Sequence, residues 1–297
     1  MIRKKIIGPI RKKINKKIEN VIVELDSKKV KPKPSHNTIL YFPYNADEPS
    51  YLIAEKKPEL NLCSQKLPIP PKDLWLGYGN NESEYLCGKI QVDLMMHLLS
   101  KSGFSFKKKD RIYDFGCGAG RMIRWLKPIS DICEIWGSDI NANHISWSKE
   151  FLQPPFNFFT STVVPHLPFE DNYFDLIYSC SVFTHIEDIT EAWLLELRRI
   201  LSPNGRLYIT INDNNTISEL EKNPIYETQW LKSVISENGV FINNKDNFDL
   251  FVTGRGSDSK VFYNINYFKK MVGTMFEILS ITNSAYGFET GILMQKK

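Results

Sequence analysis

The chain has 297 residues, 42% of them apolar and 24% charged, a composition that can fill the core of a folded domain and excludes a disordered chain. Its formal charge of +4 is unevenly placed: residues 1–35 hold twelve Lys/Arg against three Asp/Glu, a net +9, which leaves −5 on the remainder. An acidic body argues against a nucleic-acid partner and puts any attraction for anions at the N-terminal end.

Residues 2–25 place Ile2, Ile6, Ile10, Ile14, Ile18, Val21, Ile22 and Leu25 at steps of three and four, with lysines and arginines between them. The spacing predicts a basic amphipathic helix, interrupted near Gly8-Pro9. Such a helix either makes a peripheral contact with an anionic membrane through residues 1–25 or docks on protein with its basic face solvated. Residues 1–34 read as this basic extension, ending in the linker Lys31-Pro32-Lys33-Pro34. Residues 35–76 read as an irregular wrapping segment, and residues 77–297 as one domain. The five cysteines are scattered, with no pair at metal-ligand spacing, so a reduced cytoplasmic compartment and no metal are expected. No apolar run approaches the ~18 residues of a membrane span, and no secretory signal is expected.

A helix is predicted over 82–102, after which strand and helix alternate. Strands are expected at 111–115, 134–138, 156–159, 174–179 and 206–211, with helices opening at 121–127 and spanning 142–152 and 189–201. Further on come a helix near 228–237, a strand-like stretch at 249–253 and a helix near 266–272. Two apolar runs, 276–282 and 291–294, then read as a terminal hairpin. The pattern implies a doubly wound α/β sheet of about seven strands, mostly parallel, with an antiparallel C-terminal hairpin.

The strongest chemical signal is the strand-turn Arg111-Ile112-Tyr113-Asp114-Phe115-Gly116-Cys117-Gly118-Ala119-Gly120-Arg121. Glycines let a backbone approach a ligand closely, and a following helix N-terminus offers free N–H groups. Asp139 follows Gly116 by 23 residues, at the end of an apolar strand, where a carboxylate can accept both hydroxyls of a ribose. Arg121 stands where a dinucleotide-binding turn needs its third glycine, and Asp114 is foreign to that fingerprint. Both departures favour an adenosyl ligand without a pyrophosphate.

With these motifs the chain resembles the class I S-adenosylmethionine-dependent methyltransferases, whose Rossmann-like fold opens on an acid-x-G-x-G-x-G turn. The resemblance extends to the stretch 167–179 leading into the fourth strand. Beyond it, Ser181-Val182-Phe183-Thr184-His185-Ile186 and the helix ending Leu201-Ser202-Pro203-Asn204-Gly205 are similar to a bacterial subgroup acting on small molecules and glycans. The resemblance implies S-adenosylmethionine as cofactor. It also implies that Phe115, Gly116, Cys117 and Gly118 line the methionine and ribose, that Asp139 holds the ribose, and that Ile140 packs on adenine. Ser179 would face the methionine, and Asp114 would orient the turn or the amino group. The acidic residue that the family often carries after its third strand is absent from Thr160-Ser161-Thr162-Val163-Val164, so a hydroxyl or backbone group must serve there.

A methyl sulfonium is already activated, so the protein must align the nucleophile and remove its proton if it is a hydroxyl. His185, just past the fourth strand, is the candidate general base, against a buried histidine bonded to a helix cap at Asp188. Asp213, after the fifth strand, is the second candidate. His144 and His166 read as surface or loop residues, and Arg121, Arg124, Trp125 and Trp147 as packing or solvated-face residues. The acceptor would enter over the fourth and fifth strands, walled by residues 241–267, where Phe248, Phe251, Arg255, Phe262 and Tyr263 are available. The expected activity is methylation of a small-molecule or glycan acceptor through oxygen. The alternative is a non-catalytic membrane- or partner-binding protein that retains the fold.

Overall fold

The computed structural model describes residues 40–41, 52–53, 67–76, 78–186, 189–222, 247–254 and 259–297. All of them belong to one compact unit spanning Ile39–Lys297. The basic helix expected over 2–25, its linker, most of the segment 35–76, the helix expected near 228–237, and Asp188, Phe241 and Arg255 lie outside the described residues.

Strands β1 (Leu40–Tyr41) and β2 (Leu52–Ile53) form a short antiparallel pair. The main sheet comprises β3 (Arg111–Phe115), β4 (Glu134–Asp139), β5 (Asn157–Thr160), β6 (Phe174–Ser179), β7 (Leu201–Asp213), β10 (Phe276–Tyr286) and β11 (Glu289–Lys296). Their order is β10-β11-β7-β6-β3-β4-β5. The five strands from β7 to β5 are parallel, and β11 runs antiparallel to both neighbours, as the terminal hairpin requires. Strands β8 (Leu250–Thr253) and β9 (Lys260–Tyr263) add a small extension, β9 pairing with Asn212 and Asp213 at the end of β7.

Alternation along β3 divides the core. Tyr113 and Phe115 join Trp193, Leu194, Leu197 and Ile200 of α4 (Thr190–Ile200) and Phe268 and Val272 of α6 (Ile265–Val272). Ile112 joins Val92, Met95 and Leu99 of α2 (Gly88–Lys101) and Ile145 of α3 (Ala142–Phe151) on the other face. Burying each such side chain contributes about 1.5–3 kcal/mol, so both faces of the sheet are anchored independently of the loops above it.

The structure corrects two local expectations and adds two elements. The predicted helix over 82–102 is two helices, α1 (Glu82–Leu86) and α2. Gly88 at the break lets α2 approach the turn, because a Cβ there would lie 2.5 Å from Arg121 O. No α-helix follows the glycine turn: residues 116–122 are turn and then a 3-10 helix, Ile123–Ile129, takes over, with Pro128 inside it. Proline removes the N–H that an α-helix would need there and clashes with the preceding turn. Helix α5 (Asn214–Lys222) and strand β9 were not legible in the sequence. Among the described residues no helix is long and apolar enough to cross a membrane.

Candidate active site

In open α/β sheets ligands settle outside the carboxyl ends of the strands, where neighbouring strands lead off in opposite directions. Here that point is β3, flanked by β4 and β6. The turn after β3 holds Gly116, Gly118 and Gly120 at φ of 83°, 52° and 78°, a region that L-residues avoid. Gly116 N–H and Cys117 N–H both donate to Ser138 O, at 2.9 and 2.8 Å, which ties the turn to the end of β4.

Asp139 completes that tie. Its Oδ2 accepts the Gly118 N–H at 2.9 Å and its Oδ1 the Asn141 N–H at 2.8 Å. A carboxylate has about four lone-pair sites, so each oxygen retains one for a ribose hydroxyl. Its backbone carbonyl accepts the Ser161 N–H at 3.0 Å, which brings the loop after β5 alongside. Ile140 is 62% exposed, and Val163 and Val164 in that loop are 68% and 59% exposed. These apolar side chains, standing in solvent at the ends of β4 and β5, are suited to cover an aromatic base.

Asp114 is buried at the end of β3 and its Oδ2 accepts from Tyr178 Oη at 2.8 Å. Burial pushes its carboxyl up to about 8, the Tyr178 hydrogen bond opposes this, and the charge of Asp139 adds to it. Ser179, fully buried at the end of β6, has an Oγ with no hydrogen-bond partner. An orphaned hydroxyl next to the turn fits a site that a ligand completes. The glycine backbone, the spare lone pairs of Asp139, the exposed Ile140 and the Ser179 hydroxyl therefore fit an adenosyl amino acid.

His185 lies in the loop after β6, half-buried, with Nδ1 2.8 Å from Ser259 O. A carbonyl can only accept, so Nδ1 carries the proton in the neutral ring and Nε2 is left as a lone-pair base. Burial first, and the Lys260 charge second, lower its pKa from the ordinary value, while the Ser259 hydrogen bond opposes them. Asp213 is placed differently. Its Oδ1 accepts the Thr216 N–H at 3.1 Å and Thr290 Oγ1 at 2.9 Å, and its own N–H reaches Thr216 Oγ1, so it caps α5. His144, expected at the surface, is instead buried on α3 with Nδ1 3.9 Å from Asp139 Oδ1, because its helix packs that face against β4 and β5. His166 is exposed in the loop before β6.

Sequence reading missed a second polar cluster beside the turn. Arg121 donates to Tyr286 Oη at 2.9 Å and to Gln91 Oε1 at 3.1 Å, with its guanidinium 4.5 Å from the centre of the Tyr78 ring. Glu289 at the start of β11 accepts from Ser181 Oγ and Thr210 Oγ1. The available signal was a carboxylate two residues ahead of the apolar run 291–294.

Residues 113–209 match the sequence family described as the methyltransferase domain. The chain is 30% identical over 110 residues to the ubiquinone/menaquinone biosynthesis C-methyltransferase of Chromobacterium violaceum, covering 34% of this chain and 42% of that protein. Identity to the protein of the same name from Neisseria meningitidis is 32% over 108 residues, covering 35% and 43%. The methyltransferase GfsG of Streptomyces halstedii is 28% identical over 104 residues, 33% of this chain and 36% of that one. The chain thus spans less than half the length of these curated relatives. A crystal structure of a Pyrococcus horikoshii protein shares the fold, with a TM-score of 0.51 at 18% identity over 74% of this chain and 95% of that one.

Proposed function

We propose, on the premise that residues 113–209 are a class I S-adenosylmethionine-dependent methyltransferase domain, that this chain methylates an oxygen of a small-molecule or glycan acceptor. The observation that carries the donor side is the contact between Asp139 and Gly118, which joins a ribose-binding carboxylate to the backbone that would cradle the methionine. S-adenosylmethionine, when bound, supplies a methyl group already activated by the sulfonium charge. The protein's share is then alignment and proton removal.

Phe115, Gly116, Cys117 and Gly118 would line the methionine and ribose, Asp139 would hold the ribose hydroxyls and Ile140 would cover adenine. Ser179 Oγ would meet the methionine portion, and Asp114 its ammonium. Methylation at oxygen is supported by His185: a hydroxyl must lose its proton, and a neutral imidazole with Nδ1–H held by Ser259 O leaves Nε2 free to take it. Asp213 is the weaker base, since its carboxylate is engaged in capping α5.

Calorimetric titration with S-adenosylhomocysteine, wild type beside Asp139→Ala, tests the donor side. Micromolar binding that collapses in the variant is expected, with a cooperative melt to show that the variant folds. No binding by wild type would favour the non-catalytic reading. Transfer of a labelled methyl group to a panel of hydroxylated small molecules and oligosaccharides tests the acceptor side. His185→Gln should lose about 10²-fold or more in kcat with S-adenosylhomocysteine binding unchanged; equal rates would remove His185 as base, and label on carbon would remove oxygen as the target. The basic pattern of residues 1–25 supports a peripheral contact with anionic lipid, which a chain lacking residues 1–34 should lose in vesicle sedimentation.

A further inference from the structure

Glu289 opens β11 and is 5% exposed, yet its carboxylate is built into the loop that carries His185. Ser181 Oγ donates to Oε1 at 2.7 Å and Thr210 Oγ1 donates to Oε2 at 2.5 Å. Thr210 Oγ1 in turn accepts the Ser181 backbone N–H at 2.8 Å. One carboxylate and one threonine therefore grip both the side chain and the main chain of Ser181. That residue needs the grip: its φ is 58°, a left-handed conformation that costs an L-residue about 1–2 kcal/mol and persists only where its surroundings impose it.

The residues immediately after Ser181 form one wall of the site. Val182 fills the space over Gly116, its carbonyl accepts the His185 N–H at 2.9 Å, and His185 then reaches Ser259. We infer that Glu289 is a positioning residue for methyl transfer: by holding Ser181 in its left-handed turn, it sets the loop of residues 181–186, His185 included, against the glycine turn. This rests on the proposed roles of the glycine turn in cofactor binding and of His185 as base.

The hydrogen-bond directions define the working state. Thr210 Oγ1 accepts from Ser181 N–H and donates to Glu289, as does Ser181 Oγ. In the ionised form both carboxylate oxygens accept; protonation makes one of them a donor, so one of the two bonds must reverse or be lost. The titratable and charged groups around it are Tyr78, Arg121, Cys180, Tyr208, Lys260 and Tyr286. Burial raises Glu289 to about 7, opposed by the Thr210 and Ser181 hydrogen bonds and by Lys260. The clamp thus slackens as pH falls through neutrality.

The test uses the full chain as wild type, Glu289→Ala and Glu289→Gln, with two readouts. One is the affinity for S-adenosylhomocysteine; the other is the ring resonance of His185, identified by its loss in His185→Gln. Glu289→Ala should weaken binding about tenfold or more and move the His185 resonance while still melting cooperatively. In the Asp114→Asn background, which removes the other carboxyl raised into this range, affinity should fall between about pH 8 and about pH 6, and adding Glu289→Gln should flatten that dependence. Should Glu289→Ala fail to fold, Glu289→Gln decides by its pH profile and its His185 resonance. Affinity within about twofold of wild type and an unmoved resonance would overturn the inference. If wild type binds no S-adenosylhomocysteine, the cofactor reading fails by itself, and the His185 resonance still decides whether Glu289 positions the loop.

Discussion

Gly116 and Val182 stand so close that a Cβ on the glycine would lie 2.2 Å from Val182 Cγ2. This contact joins the two loops that a ligand at the switch point must lie against, one leaving β3 and the other β6. Gly116 is required twice over, for the space and for its φ of 83°.

Gly116→Ala should therefore cost about 1–3 kcal/mol of stability and abolish S-adenosylhomocysteine binding, because a β-branched valine has little rotamer freedom to yield. Adding Val182→Ala should return part of the stability but not the affinity, since the backbone conformation still resists a side chain. Urea melts and calorimetry on the two single variants and the double variant measure this. Full recovery of stability in the double variant would assign the whole effect to the clash.

Ile140 offers a cleaner probe of the adenine side. It is 62% exposed, so Ile140→Ser should leave stability within about 0.5 kcal/mol. If the side chain covers a base, the variant loses an apolar contact that burial would make worth about 1.5–3 kcal/mol, and affinity for S-adenosylhomocysteine should fall about tenfold or more. Unchanged affinity would place the adenine elsewhere.

The strands that carry the site were legible because each follows a local rule. Ile112, Tyr113 and Phe115 lead a short strand straight into glycines, and Asp139 stands at the end of the next strand. Period and turn chemistry suffice for both. What stayed hidden depends on contacts between distant parts of the chain. Gly88 reads as a weak helix position, and only the approach of Arg121 O shows why a side chain has no room there. Asp213 reads as a free carboxylate after a strand until Thr216 and Thr290 are seen to occupy it. Glu289 gives no local sign that it accepts from Ser181, 108 positions earlier.

Arg199 shows how the fold holds the approach to β6. Its guanidinium donates to both oxygens of Glu196, to Phe169 O at 2.8 Å, to Leu167 O at 3.1 Å and to Asp171. Glu196, buried, also accepts the Leu167 N–H at 2.6 Å. A lysine has no planar fork, so Arg199→Lys should leave backbone carbonyls of the loop unsatisfied and cost about 1–3 kcal/mol in a urea melt. Because this network lies at the opposite end of β6 from the turn, affinity for S-adenosylhomocysteine should stay within about twofold. A larger loss would mean that the two ends of the strand are coupled.

Asp114 ties stability, pH and the cofactor together. Its carboxyl titrates at about 8, burial being the main cause, whereas an unfolded aspartate titrates near 3.8. Between those values the folded state binds the extra proton, so the Asp114 contribution to stability is full below the lower value and is lost as pH rises through the upper one. Asp114→Asn removes that slope. The stability of the variant relative to wild type should therefore rise from about pH 5 to about pH 8, a difference that cancels the other titrating groups. The same carboxylate is the candidate partner of the cofactor's ammonium, and a cation bound there favours its ionised form. Binding of S-adenosylhomocysteine at neutral pH should then release a proton from Asp114, which calorimetry in buffers of different ionisation enthalpy detects. Proton release that is smaller in Asp114→Asn than in wild type would make Asp114 the ammonium partner; equal release in both would leave it as a structural acid beneath the turn.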